Sequence, residues 1–327
     1  VSRAGHRRPA QNGATLIPVP PGRPYPGLVN GPAILLPCDP LAPRRTDGHF
    51  AEEASVARDL GGVTALIDHD ALLAGDAESA VSRVPHGLRA AWYRGWMVPS
   101  AAYARLARAL DGRGCTLLTT PGSYTAAHEL PGWYEVFEGA TPPSCWLPGV
   151  GAVPSSVELA AAAGRLGGSG PAVVKDYVKS RKHEWDEACF IPELADTTAL
   201  HRVVSRFVEL QGEDLAGGVV LRAFEPYAAS GGVRSEESRV WWVDGEAVLV
   251  TSHPDWPIPP AGRPVADPDL AGVRPLVHAL GCRFVTTDLA RRTDDGRWRV
   301  VEVGDGQVSD LPRGADPAPL LAALITC

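Results

Sequence analysis

Between residues 33 and 120 the apolar positions fall in short blocks separated by helical spacings. The run Ala33-Ile-Leu-Leu36 reads as a strand, and Phe50, Ala54, Ala57 and Leu60 mark a helix over 49–60. Residues 63–67, 90–98 and 115–119 read as further strands, with a helix over 100–110. Strand and helix in alternation predict a small open α/β unit. Past residue 150 the pattern changes. Helices are predicted over 156–166, 197–210 and 270–280, and strands over 172–178 and 218–227. One hairpin spans 238–252 and turns at Asp244-Gly245, a favoured two-residue pair. A second hairpin runs from Asp288 to Glu302. This half reads as α+β. Residues 1–31 read as an irregular arm, 121–147 as turn-rich, and 253–269 as a proline-rich loop.

The second hairpin raises a problem of charge. A three-residue loop at Asp294-Asp295-Gly296 sets Asp288 directly across from Glu302. Opposed like charges destabilise a strand pair, by about 4 kcal/mol at 4 Å and an effective dielectric near 20. A divalent cation would turn that repulsion into attraction, and hard oxygen ligands suit magnesium. The bland alternative is a solvated hairpin whose carboxylates face water.

The run Lys175-Asp-Tyr-Val-Lys179-Ser-Arg181-Lys182-His183 follows an apolar strand. Four cations this close repel unless an anion sits among them, and phosphate fits both lysine and arginine. Arg222 shares a strand face with Val220 and Phe224, so it needs a carboxylate or phosphate partner. Arg239 opens another strand. Glu225 stands at a strand end beside Pro226. Arg94 lies between aromatics, and Gly95 inside a strand marks close approach of a ligand or another backbone.

Composition narrows the field. The 327 residues carry a net charge of -7, which argues against a general nucleic-acid binder. Six scattered cysteines form no CxxC pair and read as reduced thiols of a cytoplasmic protein. No apolar run of membrane-spanning length is present. The sequence has no HExxH, GxSxG, Walker lysine loop or GxGxxG after a strand.

Lys175 after an apolar strand, the 221–227 segment, Arg239, then Asp288 and Glu302 on late strands follow the order seen in ATP-grasp enzymes. The runs VVKDYVKSRKHEW and VVEVGDGQVSDLP resemble the ATP-grasp clade named for two arginines and one lysine. The resemblance covers about residues 170–312 and extends by strand order alone before that. It implies an ATP-grasp fold with a pre-ATP-grasp α/β domain over 32–120, a central lobe over 121–225 and a C-terminal lobe over 226–327. It implies ATP and Mg2+ as cofactors. Lys175 matches the lysine that touches the ATP phosphates, and the basic segment with Lys179, Arg181 and Lys182 replaces the usual glycine-rich phosphate loop. Phe224, Glu225, Tyr227 and Gln307 match the nucleotide pocket, and Arg222 and Arg239 match the clade arginines. Asp288 and Glu302 match the metal carboxylates. Position 304 is glycine where many relatives have asparagine, which leaves Asp305 or Gln307 to complete the metal set. Arg94 and His183 are candidate substrate contacts.

The implied activity is ATP-dependent carboxylate–amine ligation through an acyl phosphate, by a monomer or homodimer acting on small molecules. Rival readings are a kinase on the same scaffold, an assembly factor that binds nucleotide with little turnover, and a protein that binds no nucleotide.

Overall fold

The computed structural model describes residues 31–149, 151–228, 237–254 and 267–327. The irregular arm read over 1–31 falls almost wholly outside the described residues, as does most of the proline-rich loop.

The N-terminal domain is a mostly parallel sheet. Strand β1 (Ala33–Asp39) lies between β3 (Thr64–Ile67) and β4 (Arg89–Tyr93), and β5 (Cys115–Leu117) follows β4. The stretch after β1 contains β2 (Ala42–Thr46), which folds back antiparallel. Helix α1 (Ala51–Asp59) covers one face. Helices α2 (His69–Leu73), α3 (Ala77–Ala80) and α4 (Ser100–Asp111) cover the other.

Residues 121–147 differ from their turn-rich reading. They form α5 (Pro121–His128), α6 (Leu130–Phe137) and β6 (Ser144–Pro148). Pro121 and Pro131 stand in first turns, where a missing N–H costs nothing, and Thr120 caps α5 through Ser123 N. Both helices lay apolar residues (Ala127, Leu130, Trp133, Phe137) onto the C-terminal sheet.

The central lobe is an antiparallel sheet ordered β6, β9 (Gly218–Ala223), β7 (Ala172–Lys175), β8 (Phe190–Ile191). Helices α7 (Ser156–Arg165) and α8 (Thr197–Gln211) bury one face, with Val203, Val204 and Phe207 of α8 in the core. Strand β7 stops at Lys175 rather than 178. The buried Asp176 carboxylate gathers the amides of Val178 (2.7 Å) and Lys179 (2.5 Å) and turns the chain there.

The C-terminal lobe is a second antiparallel sheet ordered β11 (Glu246–Ser252), β10 (Glu237–Val243), β12 (Phe284–Arg291), β13 (Trp298–Asp305). One face, with Val240, Trp242, Val285 and Val303, packs on α5, α6 and α9 (Arg274–Leu280). The other face is divided. Trp241, Val243 and Phe284 pack on the N-terminal domain with α10 (Ala318–Thr326), and the Trp92 indole donates to the Leu324 carbonyl at 2.9 Å. At the far end of that face stand Arg239, Asp288 and Glu302.

Arg94 is not a substrate contact. It is fully buried, and its guanidinium donates twice to Glu53, at 2.7 and 2.9 Å. It also donates to the carbonyls of Gln307 and Ser309. The strand predicted over 90–98 ends at Tyr93 because Arg94 and Gly95 turn to meet the C-terminal lobe. Gly95 N–H donates to the Gln307 carbonyl, and a Cβ at Gly95 would stand 2.6 Å from the Tyr93 hydroxyl. The close approach is thus by the side chains of Tyr93 and Pro37, with the Gln307 backbone at the N–H. Removing one member of a buried ion pair costs about 3–5 kcal/mol, so Glu53→Ala should lower the unfolding free energy by that amount in urea titration. A loss under about 1 kcal/mol would mean that the carbonyls alone satisfy Arg94.

Candidate nucleotide and metal cleft

The site is built from two facing sheet surfaces. Along β7 and β9, Lys175, Val220 and Arg222 share the face opposite the one buried by α7 and α8. Along β10, β12 and β13, the pairs Arg239↔Asp288 and Asp288↔Glu302 line up across three strands. The Asp288–Glu302 pairing stands as the hairpin pattern predicts, although the turn does not. The strands end at Arg291 and Trp298, and a bulge after Asp288 absorbs the difference in register.

Each acid has its own cation. Arg239 grips Asp288 with two parallel bonds of 2.8 and 2.9 Å. Lys175 Nζ reaches across from the central lobe to Glu302 at 2.9 Å. Burial alone would raise both carboxyls. The guanidinium beside Asp288, and the ammonium beside Glu302, outweigh it and hold both below the ordinary carboxylate range. Between the lobes lies a cleft of about 380 Å³, within the range of small-molecule sites. Lys179, Lys182 and His183 edge it, and Arg239, Asp288 and Glu302 line it.

The structure does not gather every predicted residue there. Arg181 turns away and donates to the Leu210 carbonyl at the end of α8, with Glu184 nearby at 3.9 Å. Arg222 stands beside the cleft, not in its wall. Buried over the Trp133 ring, it donates to Thr141 Oγ1 and the Val300 carbonyl, and no carboxylate lies within ion-pair distance among the described residues. Burial pushes its guanidinium below the usual arginine range. Glu225 is not available to read a base. Both its oxygens accept from Arg299 at 3.0 Å, and the Tyr227 hydroxyl donates to it at 3.1 Å. Phe224 is half-exposed beside Phe190 and Trp185, forming an aromatic trio with ring centroids 5.1 to 6.0 Å apart.

Gln307 and Asp305 are engaged at the domain junction, although Asp305 also borders the cleft. Asp305 lies on the opposite face of β13 from Glu302, fully buried. Its Oδ1 accepts from the Gln307 amide and side chain, and its Oδ2 has no partner. Gln307 in turn accepts from Tyr93 N–H at 2.9 Å and bonds the Tyr103 hydroxyl. The pair ties the C-terminal lobe to the N-terminal domain.

The sequence reading missed several groups. His128 ends α5 and lines the cleft, almost wholly buried. Desolvation, with Lys175 and Lys179 nearby, brings its imidazole down to about 4 against the pull of Glu302. Nothing marked it, since α5 itself was not predicted. Glu237 and His253 approach Asp288 from the strand ends on its other side. The fit for magnesium rests on donor chemistry. Asp288 and Glu302 are hard oxygen donors on one rigid face, held ionised by partners that a stronger cation and an anion can displace together.

Residues 165–324 match the family model for the ATP-grasp domain, family 3 of the clade named for two arginines and one lysine. The chain is an ATP-grasp domain-containing protein with the ATP-grasp fold. No curated protein matches it. Among solved structures it resembles the D-cycloserine synthetase DcsG, at TM-score 0.60 and 15% identity over 90% of this chain and 98% of that one. It resembles a RimK domain ATP-grasp protein from Sphaerobacter thermophilus, at 0.56 and 16% identity over 90% and 97%. It also resembles the ATP-grasp ligase PsnB complexed with precursor peptide PsnA2 and AMPPNP, at 0.53 and 13% identity over 93% and 99%.

Asp305 yields a prediction about pH. Desolvation raises its carboxyl to about 7. The folded form therefore holds the proton more tightly than the unfolded chain does. Wild-type stability should fall as pH rises from about 4 to 7, by on the order of 4 kcal/mol. Asp305→Asn should flatten that part of the profile in urea titrations at stepped pH. Parallel profiles for the two proteins would refute the assignment.

Proposed function

We propose that the protein is an ATP-dependent, ADP-forming ligase that joins a carboxylate to an amine through an acyl phosphate. One observation carries the reading: two neighbouring acids and two cations from different lobes meet across one cleft, in an ATP-grasp fold. Phosphoryl transfer asks the protein mainly for positioning and charge stabilisation, and this cleft supplies both. Magnesium bound by Asp288 and Glu302 would neutralise charge on the phosphates.

In this reading the incoming triphosphate takes Lys175 from Glu302, and that acid joins the open lone pairs of Asp288 around the cation. Lys179, Lys182 and His183 hold phosphate oxygens at the rim. Arg222 adds positive potential from behind the wall. The trio of Phe224, Phe190 and Trp185 offers the adenine a stacking surface at the edge of the central lobe. A substrate carboxylate oxygen attacks the γ-phosphorus, and ADP leaves. The amine nitrogen then attacks the acyl carbon, loses a proton and expels phosphate. Movement of the central lobe toward the C-terminal sheet excludes water from the acyl phosphate.

The acceptor class follows the relatives only loosely. PsnB is described with a precursor peptide and DcsG as a D-cycloserine synthetase, so both peptides and small acids belong in the test. The test is an ADP-release screen over both classes, with products followed by mass spectrometry. An amide product supports ligation. A stable phosphate ester would instead make the protein a kinase, and a stoichiometric protein partner without ATP use would make it an assembly factor.

Two outcomes are expected. Saturating AMPPNP–Mg2+ at 100 times its dissociation constant should stabilise the protein by about 2.7 kcal/mol, and an unchanged melting temperature would count against any nucleotide role. Lys175→Ala and Glu302→Ala should each abolish turnover while circular dichroism stays native. Near wild-type rates in either would sink the site assignment.

A further inference from the structure

The polar end of the C-terminal sheet holds a second set of ligating atoms, on the side of Asp288 away from Glu302. The register assembles it. Ser238 pairs with Ser252, and His253 N–H donates to the Glu237 carbonyl at 3.1 Å, so Glu237 and His253 form the next rung. Arg239, two rungs inward from Glu237, pairs with Asp288. Side-chain ligand atoms of Glu237, His253 and Asp288 all lie within 4.8 Å of one another. His253 and Asp288 are largely buried, with side-chain exposures of 12% and 6%.

The spacing suits ligands of one ion. His253 Nε2 stands 3.5 Å from Asp288 Oδ2, longer than an ordinary hydrogen bond. Donors bound at about 2.0–2.2 Å to one cation stand roughly 3–4 Å apart. Asp288 accepts from Arg239, yet a carboxylate oxygen keeps a further lone pair, and the two hydrogen bonds from Arg239 fix the acid's orientation. The donor set of two carboxylates and one imidazole differs from the all-oxygen pair Asp288 and Glu302. Imidazole suits zinc better than magnesium, and the two carboxylates also suit manganese.

We propose that Glu237, His253 and Asp288 form a transition-metal site that fills with Mn2+ or Zn2+ in the absence of nucleotide. It shares Asp288, and the cleft that His253 also lines, with the position between Asp288 and Glu302, and it does not depend on the ligase reading.

The test uses the full chain, stripped with chelator and free of nucleotide. Mn2+ is titrated and the free ion followed by electron paramagnetic resonance, with Zn2+ and Mg2+ as competitors. One Mn2+ per chain should bind, displaced by Zn2+ and only by a large excess of Mg2+. His253→Gln and Glu237→Gln should each weaken binding tenfold or more, and Glu302→Gln should leave it unchanged. Either of the first two variants suffices, provided that it melts as the wild type does. No binding without nucleotide, or binding untouched by His253→Gln, would overturn the proposal. So would a loss in Glu302→Gln, since the ion would then sit on the nucleotide side. A nucleotide-binding failure in the earlier experiments leaves this result intact, so the two readings fail separately.

Discussion

Two acids side by side on adjacent strands are a liability, and the architecture is arranged around settling it. Asp288 finds its cation within its own sheet, and Glu302 finds one only in the other lobe. The second contact is the informative one. A strand from the central lobe must end where its last side chain reaches the C-terminal sheet. Asp176 sees to that by turning the chain immediately after Lys175. The basic loop that follows is then delivered to the rim of the same cleft. Charge balance on one hairpin therefore fixes where a lobe of different composition must sit.

The C-terminal sheet does two jobs on one face. Trp241 and Phe284 are fully buried against the N-terminal domain, while Arg239, Asp288 and Glu302 line the cleft a few residues along the same strands. The apolar half gives the polar half a rigid backing. The Arg94–Glu53 pair and the Asp305–Gln307 tie fasten the same junction from the N-terminal side. The central lobe touches the acids through a lysine ammonium. A long flexible stem tipped by a point charge suits a contact that is made and released.

Much of this was legible in the sequence, and the reasons are local. The strand and helix blocks of the first domain, the helix ending near Leu210 and the facing of Asp288 and Glu302 all follow from periodicity and turn residues. The failures share a cause. Arg94 looked functional as a charge among aromatics, Glu225 as an acid at a strand end and Gln307 through the resemblance, and the partners were protein: Glu53, Arg299 and Tyr103, far away in the chain. Periodicity cannot tell a phosphate from a distant carboxylate. Helices α5 and α6 were hidden by prolines that mark starts rather than breaks. Glu237 and His253 escaped because a bulge at Trp241/Trp242 sets their register, and no residue type announces it.

The bond from Trp92 to the Leu324 carbonyl spans 232 residues, and Leu320, Leu321 and Leu324 close a core that begins at Ile34. The N-terminal domain thus stays unfinished on one side until α10 has been synthesised. Closing so long a loop is a slow event. In the interval the face carrying Ile34, Leu36 and Trp92 lies open, an apolar surface that a chaperone would recognise.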